Sequence, residues 1–260
     1  MGRLFGTDGA RGVANTELSC ETAMAIGRAA AMVLAEAEHH KPKVVIGKDT
    51  RISSDMLEAA LVAGFCSVGA DVLLLGVLPT PAVAYLVKAY GADAGVMISA
   101  SHNPCEYNGI KIFNSEGYKL SDALEEEIEA IVLDGAKTPP CPTGGDIGRV
   151  SSCKNAVDDY VRHLLSVTDV DLRGMRLAVD CANGSASATA RKLFSALGAD
   201  CVFLSDQPDG VNINENCGST HIEQLADFVK KLKYFAGVAF DGDADRCLAV
   251  DENGKLVDGD

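Results

Sequence analysis

The chain has 260 residues, 47% of them hydrophobic, and its 37 acidic residues outnumber its 23 basic residues, giving a net charge of −14. This charge disfavours a duplex nucleic-acid partner, because phosphate backbones are bound by clustered lysine and arginine. No apolar run reaches the roughly 18 residues that a transmembrane helix needs, so we expect no membrane partner. The length allows two domains, and an acidic protein can still bind an anionic substrate where basic residues or a metal converge.

Nine cysteines are scattered from Cys20 to Cys247 without a CxxC pair or a cysteine and histidine spacing that suits zinc. Many of them have apolar neighbours. Both features favour buried, reduced thiols over a disulfide framework, so we expect a reducing, cytoplasmic location.

Strand and helix patterns alternate along the first half of the chain. The glycine-rich stretch FGTDGARG, residues 5–12, is predicted to be a loop. It suits either a plain tight turn or an anion held by backbone N–H groups and Arg11. The predicted strands are residues 43–47, 71–75, 95–99 and 110–113. The predicted helices are residues 19–37, capped by Ser19, residues 53–69, a short helix from Pro79, and residues 122–133.

The segment KTPPCPTGG, residues 137–145, interrupts this alternation with prolines and glycines that no regular element accommodates. It predicts a boundary near residue 150, with one domain at residues 1–150 and a second at 151–260. Beyond it we predict helices at 156–165, 185–197 and 218–232, and strands at 175–179, 201–204 and 235–240. The predicted fold class is therefore α/β.

A polar loop follows the predicted strand at residues 95–99. It contains Ser101, His102 and Asn103, and the chain returns to a strand after the turn signal Asn108-Gly109. Polar groups at the end of a buried strand stand where α/β proteins place their chemistry. The same residues would also suit an ordinary capped surface turn.

The sequence DGDADR follows the last predicted buried strand and carries Asp241, Asp243 and Asp245. In an extended segment these alternate residues project to one side, where a divalent cation would relieve the repulsion of three carboxylates. Oxygen ligands favour Mg²⁺ or Ca²⁺ over Zn²⁺. A solvated acidic turn is the alternative. An EF-hand is excluded, because Arg246 stands where that loop needs glycine and the flanks are predicted strands.

The sequence ISASHNP at residues 98–104, with NGIK at 108–111 and DGDADR at 241–246, resembles the α-D-phosphohexomutase superfamily. FGTDGARG, GKDTR at 47–51 and DCANG at 180–184 are most similar to its bacterial members that act on glucosamine phosphate. The resemblance implies two similar mixed-sheet α/β domains, the first two of the family's four. We therefore expect an N-terminal part that lacks the sugar-recognition loop and the fourth domain's phosphate-binding loop, and that is inactive alone.

The resemblance also implies a mechanism, in which Ser101 is a phosphoserine that exchanges its phosphoryl group with a hexosamine phosphate through a sugar bisphosphate. Ser101 and the aspartates at 241, 243 and 245 would hold Mg²⁺, and Arg246 would balance the phosphate charge. Lys111 is the first choice for general base, with Arg11 near the transferred proton. His102 would contact the phosphoserine or orient its loop. Lys48 and Arg51 have a weaker claim to a role in catalysis and would only order the loop that contains them.

Other readings stay open at this point. The sugar could be a mannose or glucose phosphate, and a homodimer is left open. The chain could be a non-catalytic module that binds magnesium or phosphate. It could also be a metal-dependent phosphatase with Asp241 as nucleophile, although such enzymes place their DxD sequence after an early strand.

Overall fold

The computed structural model describes residues 3–38 and 40–258, so the predicted outer domain limits at residues 1 and 260 lie outside the described residues. The chain forms two mixed sheets flanked by helices, which confirms the predicted α/β class. None of the helices in the described part of the chain has the length and apolarity that a membrane span needs. All nine cysteines are free thiols.

The first sheet has six strands in the order β1-β5-β4-β2-β3-β6. The strands β4, β2, β3 and β6 run parallel, while β5 is antiparallel to both β4 and β1. Its strands are β1 Ala10–Val13, β2 Lys43–Lys48, β3 Asp71–Val77, β4 Ala94–Ile98, β5 Tyr107–Asn114 and β6 Val150–Ser152. The helices around it are α1 Cys20–Glu38, α2 Ile52–Ser67, α3 Thr80–Ala89, α4 Asp122–Asp134 and α5 Ala156–Ser166.

Two apolar layers enclose this sheet, because side chains along a strand alternate between its faces. In β2, Val44 and Ile46 pack in one cluster with α1, α2 and α4, whereas Val45 packs in the other with α3 and α5. All three side chains are fully buried. The compact apolar run that predicted this strand is therefore the signature of a strand covered on both faces.

The second sheet has five strands in the order β11-β10-β9-β7-β8. The strands β8, β7 and β9 run parallel, and β10 and β11 complete an antiparallel edge. Its elements are β7 Arg176–Asp180, α6 Ala190–Ala196, β8 Asp200–Leu204, α7 Ile222–Leu232, β9 Ala236–Phe240, β10 Cys247–Val250 and β11 Leu256–Val257. Buried residues of α7 pack on one face, and a cluster that includes Ala190 of α6 packs on the other.

Local predictions differ from the structure at the glycine-rich loop and at residues 185–197. The end of the predicted glycine-rich loop is strand β1, whose Arg11 pairs with Gly109 of β5. The predicted helix at 185–197 is a 3₁₀ turn at Ser185–Ala188 followed by α6. The strand β6, Val150–Ser152, pairs with β3 of the first sheet. The domain boundary near residue 150 stays a prediction.

Candidate active site

The candidate site lies at the carboxyl ends of strands from both sheets. In the first sheet, β4 ends at Ile98 and leads into the loop that carries Ser101. In the second, β9 ends at Phe240 and leads into the turn that begins at Asp241. A crevice outside the carboxyl ends of parallel strands is the usual ligand site of an open α/β sheet. Here two such edges face each other.

The Ser101 loop has an unusual backbone. Ser101 has a φ of +52°, in the left-handed region that residues other than glycine adopt uncommonly. Its N–H donates to Ser99 Oγ at 3.0 Å, and Ser99 Oγ donates to Asp49 Oδ2 at 2.6 Å. Such a conformation persists only where surrounding contacts hold it, and these two hydrogen bonds do so.

The side chain of Arg51 also holds the Ser101 loop in place. Its side chain has no solvent exposure and pairs with Asp49 at 2.8 Å. Its two terminal nitrogens donate to the main-chain carbonyls of four residues of the loop and its exit, namely Ser101, Asn103, Pro104 and Tyr107. Arg51 was predicted to order its own loop. In the structure its guanidinium also orders the loop of Ser101. Lys48, by contrast, pairs with Asp55 and Glu58.

Ser101 meets the Asp turn directly. Its Oγ donates to Asp241 Oδ2 at 2.7 Å, and it accepts from Arg246 Nη2 at 2.5 Å. The same Arg246 nitrogen donates to His102 Nδ1 and lies 3.0 Å from Asp241 Oδ2. The Arg246 guanidinium thus contacts the serine, the imidazole and a carboxylate. The two sequence motifs, whose Ser101 and Asp241 are 140 residues apart, form one site.

The three aspartates converge for a different reason from the one predicted. Residues 241–246 form a turn, with Ala244 at a φ of +53°, so the predicted extended segment is wrong. The turn nevertheless brings one carboxylate oxygen from each of Asp241, Asp243 and Asp245 within 4.8 Å of the others. Asp243 Oδ1 is buried and has no hydrogen-bond partner among the described residues.

The pKa shifts of these carboxyl groups reflect the crowding. The pKa of Asp243 is raised to about 6, chiefly by burial and then by the charge of Asp241, while a hydrogen bond from Thr80 opposes the rise. Burial and Asp241 also raise the pKa of Asp245. Burial lowers the pKa of His102, and the charge of Arg246 adds to the effect, so the imidazole favours its neutral form.

These residues fit a divalent cation. Three carboxylates that repel one another and a buried oxygen without a partner are relieved together by one positive ion. The donor set consists of oxygen atoms only, which suits a hard ion such as Mg²⁺. The donor chemistry of the acidic cluster therefore fits a divalent cation.

Lys111 and Arg11 lie at the rim of the site. Lys111 is on β5, opposite Met97 of β4, and its charge lowers the pKa of Asp245 against the larger effect of burial. Arg11 is on β1, pairs weakly with Asp8 at 3.6 Å, and has a buried Nε without a partner among the described residues. The charge of Lys111 acts on Asp245 and that of Arg11 acts on His102, whereas the other predicted residues make direct contacts.

Besides Ser99 and Asp49, three contributors to the site were missed from the sequence. Thr80 hydrogen-bonds Asp243, and Asn214 donates to the carbonyls of Ser101 and Asn103 from the second sheet's side. Gly242 lies so close to the serine loop that a Cβ there would fall 2.5 Å from the Ser101 carbonyl oxygen. Only the glycine between the aspartates carried a local signal, because a close backbone approach requires a residue without a side chain.

Two models of one protein family match this chain. The family model described as phosphoglucomutase/phosphomannomutase, alpha/beta/alpha domain I, matches residues 2–138. The model for alpha/beta/alpha domain II of the same family matches residues 158–254.

Among curated proteins, the phosphoglucosamine mutases of Clostridium novyi (strain NT) and Acetivibrio thermocellus are each 60% identical over all 260 residues. The chain spans 58% of the length of these relatives. Among solved structures, a phosphoglucomutase/phosphomannomutase family protein from Burkholderia thailandensis has 31% identity and a TM-score of 0.81, covering 98% of this chain and 56% of that one. A putative phosphomannomutase from Thermus thermophilus has 25% identity and a TM-score of 0.83, covering 98% and 58%.

Proposed function

Because the chain belongs to the phosphoglucomutase/phosphomannomutase family, we propose that it carries the phosphoryl-transfer site of a phosphoglucosamine mutase. That enzyme would interconvert glucosamine 6-phosphate and glucosamine 1-phosphate. The choice of glucosamine over mannose or glucose phosphate is supported by the names of the 60% identical relatives. The observation that carries the proposal is the 2.7 Å contact between Ser101 Oγ and Asp241 Oδ2 at the aspartate cluster.

Ser101 is the proposed carrier of the phosphoryl group. The phosphoserine Oγ–P bond breaks as a P–O bond forms to a sugar hydroxyl, which gives a sugar bisphosphate. The bisphosphate then reorients and returns its other phosphate to Ser101. Such a transfer depends on in-line positioning and on neutralised oxygen charge more than on a strong nucleophile. The hydrogen bonds of Arg51 and Ser99 fix the serine loop for this purpose.

The aspartates at 241, 243 and 245 are the proposed holders of Mg²⁺, with Ser101 as a further ligand. A bound cation would neutralise charge on the phosphoryl oxygens. Arg246 already touches Ser101 Oγ and would pair with the phosphate once the serine is modified.

Proton transfer falls to the residues at the rim. Lys111 is the proposed general base for the sugar hydroxyl, and Arg11 would hold the substrate phosphate close to it. His102 accepts a hydrogen bond from Arg246 at Nδ1, so its neutral ring orients that guanidinium. A cytoplasmic location is part of the proposal and is supported by nine free thiols.

Phosphoryl acceptance by Ser101 is one half of the mutase reaction, and it tests the proposal on this chain without requiring full turnover. The chain is incubated with Mg²⁺ and glucosamine 1,6-bisphosphate, and intact mass and peptide mapping follow the product. We expect a gain of one phosphoryl group on Ser101 and no gain in Ser101→Ala. Ser121→Ala, at the start of α4, is the matched control and should label like the parent chain.

Two results would contradict the proposal. A label on Asp241 would identify a phosphatase-type nucleophile instead. A chain that binds Mg²⁺ but accepts no phosphoryl group from any sugar bisphosphate would be a binding module.

A further inference from the structure

Thr80 connects the first sheet's layer to the aspartate turn of the second. It is the first residue of α3, and its Oγ1 donates to Asp243 Oδ2 at 2.5 Å. Its N–H donates to the main-chain carbonyl of Asp243 at 2.9 Å. One residue therefore fixes both the backbone and the carboxylate of Asp243.

Both partners of this hydrogen bond are shielded from water. Thr80 is 6% exposed and Asp243 is 3% exposed. The hydroxyl engages Oδ2, while Oδ1 of the same carboxylate is buried without a partner among the described residues. A carboxylate pinned through one oxygen offers the other in a fixed direction, which is how outer-shell partners orient metal ligands.

The residues at the start of α3 restrict the backbone conformation of Thr80. Pro79 and Pro81 flank it, and proline fixes its own φ and restricts the residue before it. The helix has no side-chain cap, so the Asp243 carbonyl accepts a helix-terminal N–H. The positive end of a helix also favours a nearby carboxylate.

From these contacts we infer that Thr80 is a positioning residue that orients Asp243 for the divalent cation. The inference rests on the proposed function, because it assumes that the aspartate cluster binds the ion. The contacts of Thr80 are to the main chain and the carboxylate of Asp243, so in this role it acts on the ligand and not on the ion. Its effect is transmitted through Asp243 alone.

Metal affinity tests the inference without any turnover. Binding of Mg²⁺ and of Mn²⁺ to the 260-residue chain is measured by calorimetry and by Mn²⁺ electron paramagnetic resonance. Loss of an outer-shell partner weakens metal binding by about 10–100-fold. We expect a loss of this size in Thr80→Val, which keeps the side-chain shape, and affinity close to that of the parent chain in Thr80→Ser.

Matched variants separate positioning from packing. Thr189→Val is the control, since Thr189 is equally buried at 6% exposure but donates to the main-chain carbonyl of Ala186 and not to an aspartate. It should lose stability without losing metal affinity. Should Thr80→Val not fold, Thr80→Ala and Thr80→Ser form a second pair that differs in the hydroxyl alone, and only the alanine variant should bind weakly.

Asp243→Asn distinguishes the two levels of failure. If this variant binds metal as the parent chain does, the proposed cation site itself is wrong. If it loses binding while Thr80→Val and Thr80→Ala keep it, the site stands and the role of Thr80 is overturned. A Thr80→Ser variant that binds as weakly as the alanine variant would also overturn it.

Discussion

Arg51 illustrates how one side chain can hold a reactive loop in place. A permanent charge without solvent exposure is costly unless every donor is satisfied, and here the guanidinium pairs with Asp49 and bonds four loop carbonyls. Asp49 also accepts from Ser54 and Ser99. Removing the cation would leave a buried carboxylate uncompensated and the Ser101 carbonyl with one donor fewer.

We therefore predict that Arg51→Met lowers the free energy of unfolding by about 3–5 kcal/mol, the cost of breaking a buried ion pair from one side. Arg162→Met is the control, because the Arg162 side chain is 74% exposed in its pair with Asp159. It should cost at most about 1 kcal/mol. Urea denaturation of both variants measures the difference, and equal losses would show that burial of Arg51 has no special weight.

Glu129 gives a second residue-level prediction, with a pH dependence. Its carboxylate accepts the N–H groups of Arg3, Leu4 and Phe5 and so anchors the segment before the glycine-rich loop. These hydrogen bonds outweigh burial and lower the pKa of Glu129 below its ordinary value of 4.5. A carboxyl whose folded-state pKa is lowered stabilises the protein above its unfolded-state pKa, and this stability is lost as the pH falls through the folded-state value.

Glu129→Gln should therefore cost about 1–3 kcal/mol at neutral pH, since charge-assisted hydrogen bonds become neutral ones. The cost should stay constant down to about pH 5 and shrink below the ordinary pKa of 4.5. Chemical denaturation of parent and variant across this range measures it. A difference that grows as the pH falls would contradict the assigned role.

At the level of elements, the sequence predicts the alternating architecture well because strands buried on both faces leave continuous apolar runs, as in β2 and β4. The Ser19 cap was equally legible, and its Oγ accepts the N–H of Thr22. Strand β1 was missed because its ARGV sequence has no alternating pattern, and pairing with β5 decides its conformation. The contact between Thr80 and Asp243 could not be predicted from the sequence either, since the two residues are 163 positions apart.

The turn at residues 241–246 also yields a prediction. Gly242 lets this turn approach the serine loop, and a Cβ there would meet the Ser101 carbonyl oxygen at 2.5 Å and Asn214 Nδ2 at 2.8 Å. Gly242→Ala should thus cost about 1–3 kcal/mol through overpacking and should weaken Mg²⁺ binding. Gly145→Ala, where a Cβ meets nothing within 4 Å, is the control. Thermal unfolding and calorimetry measure both effects, and unchanged Mg²⁺ affinity in Gly242→Ala would show that the close approach does not shape the site.

On the scale of the whole molecule, the two sheets are joined by hydrogen bonds at and beside the site. Ser101 with Asp241, Thr80 with Asp243, and Asn214 with the serine loop lie within it. Thr50 Oγ1 donates to the Asn183 carbonyl at 2.6 Å, and the Ile52 N–H donates to the Gly210 carbonyl at 2.8 Å. An ion held at this junction would therefore tie both sheets together.

This arrangement predicts that Mg²⁺ protects both sheets against unfolding. An ion that binds only the folded state at 100 times its dissociation constant adds about 2.7 kcal/mol of stability. Because the junction is shared, we expect equal gains in hydrogen-exchange protection for β2 of the first sheet and β7 of the second, measured by mass spectrometry with Mg²⁺ or with EDTA. Asp241→Asn, which removes one proposed ligand, should abolish both gains. Protection confined to β7 would mean that the aspartate turn binds the ion without coupling it to the serine loop.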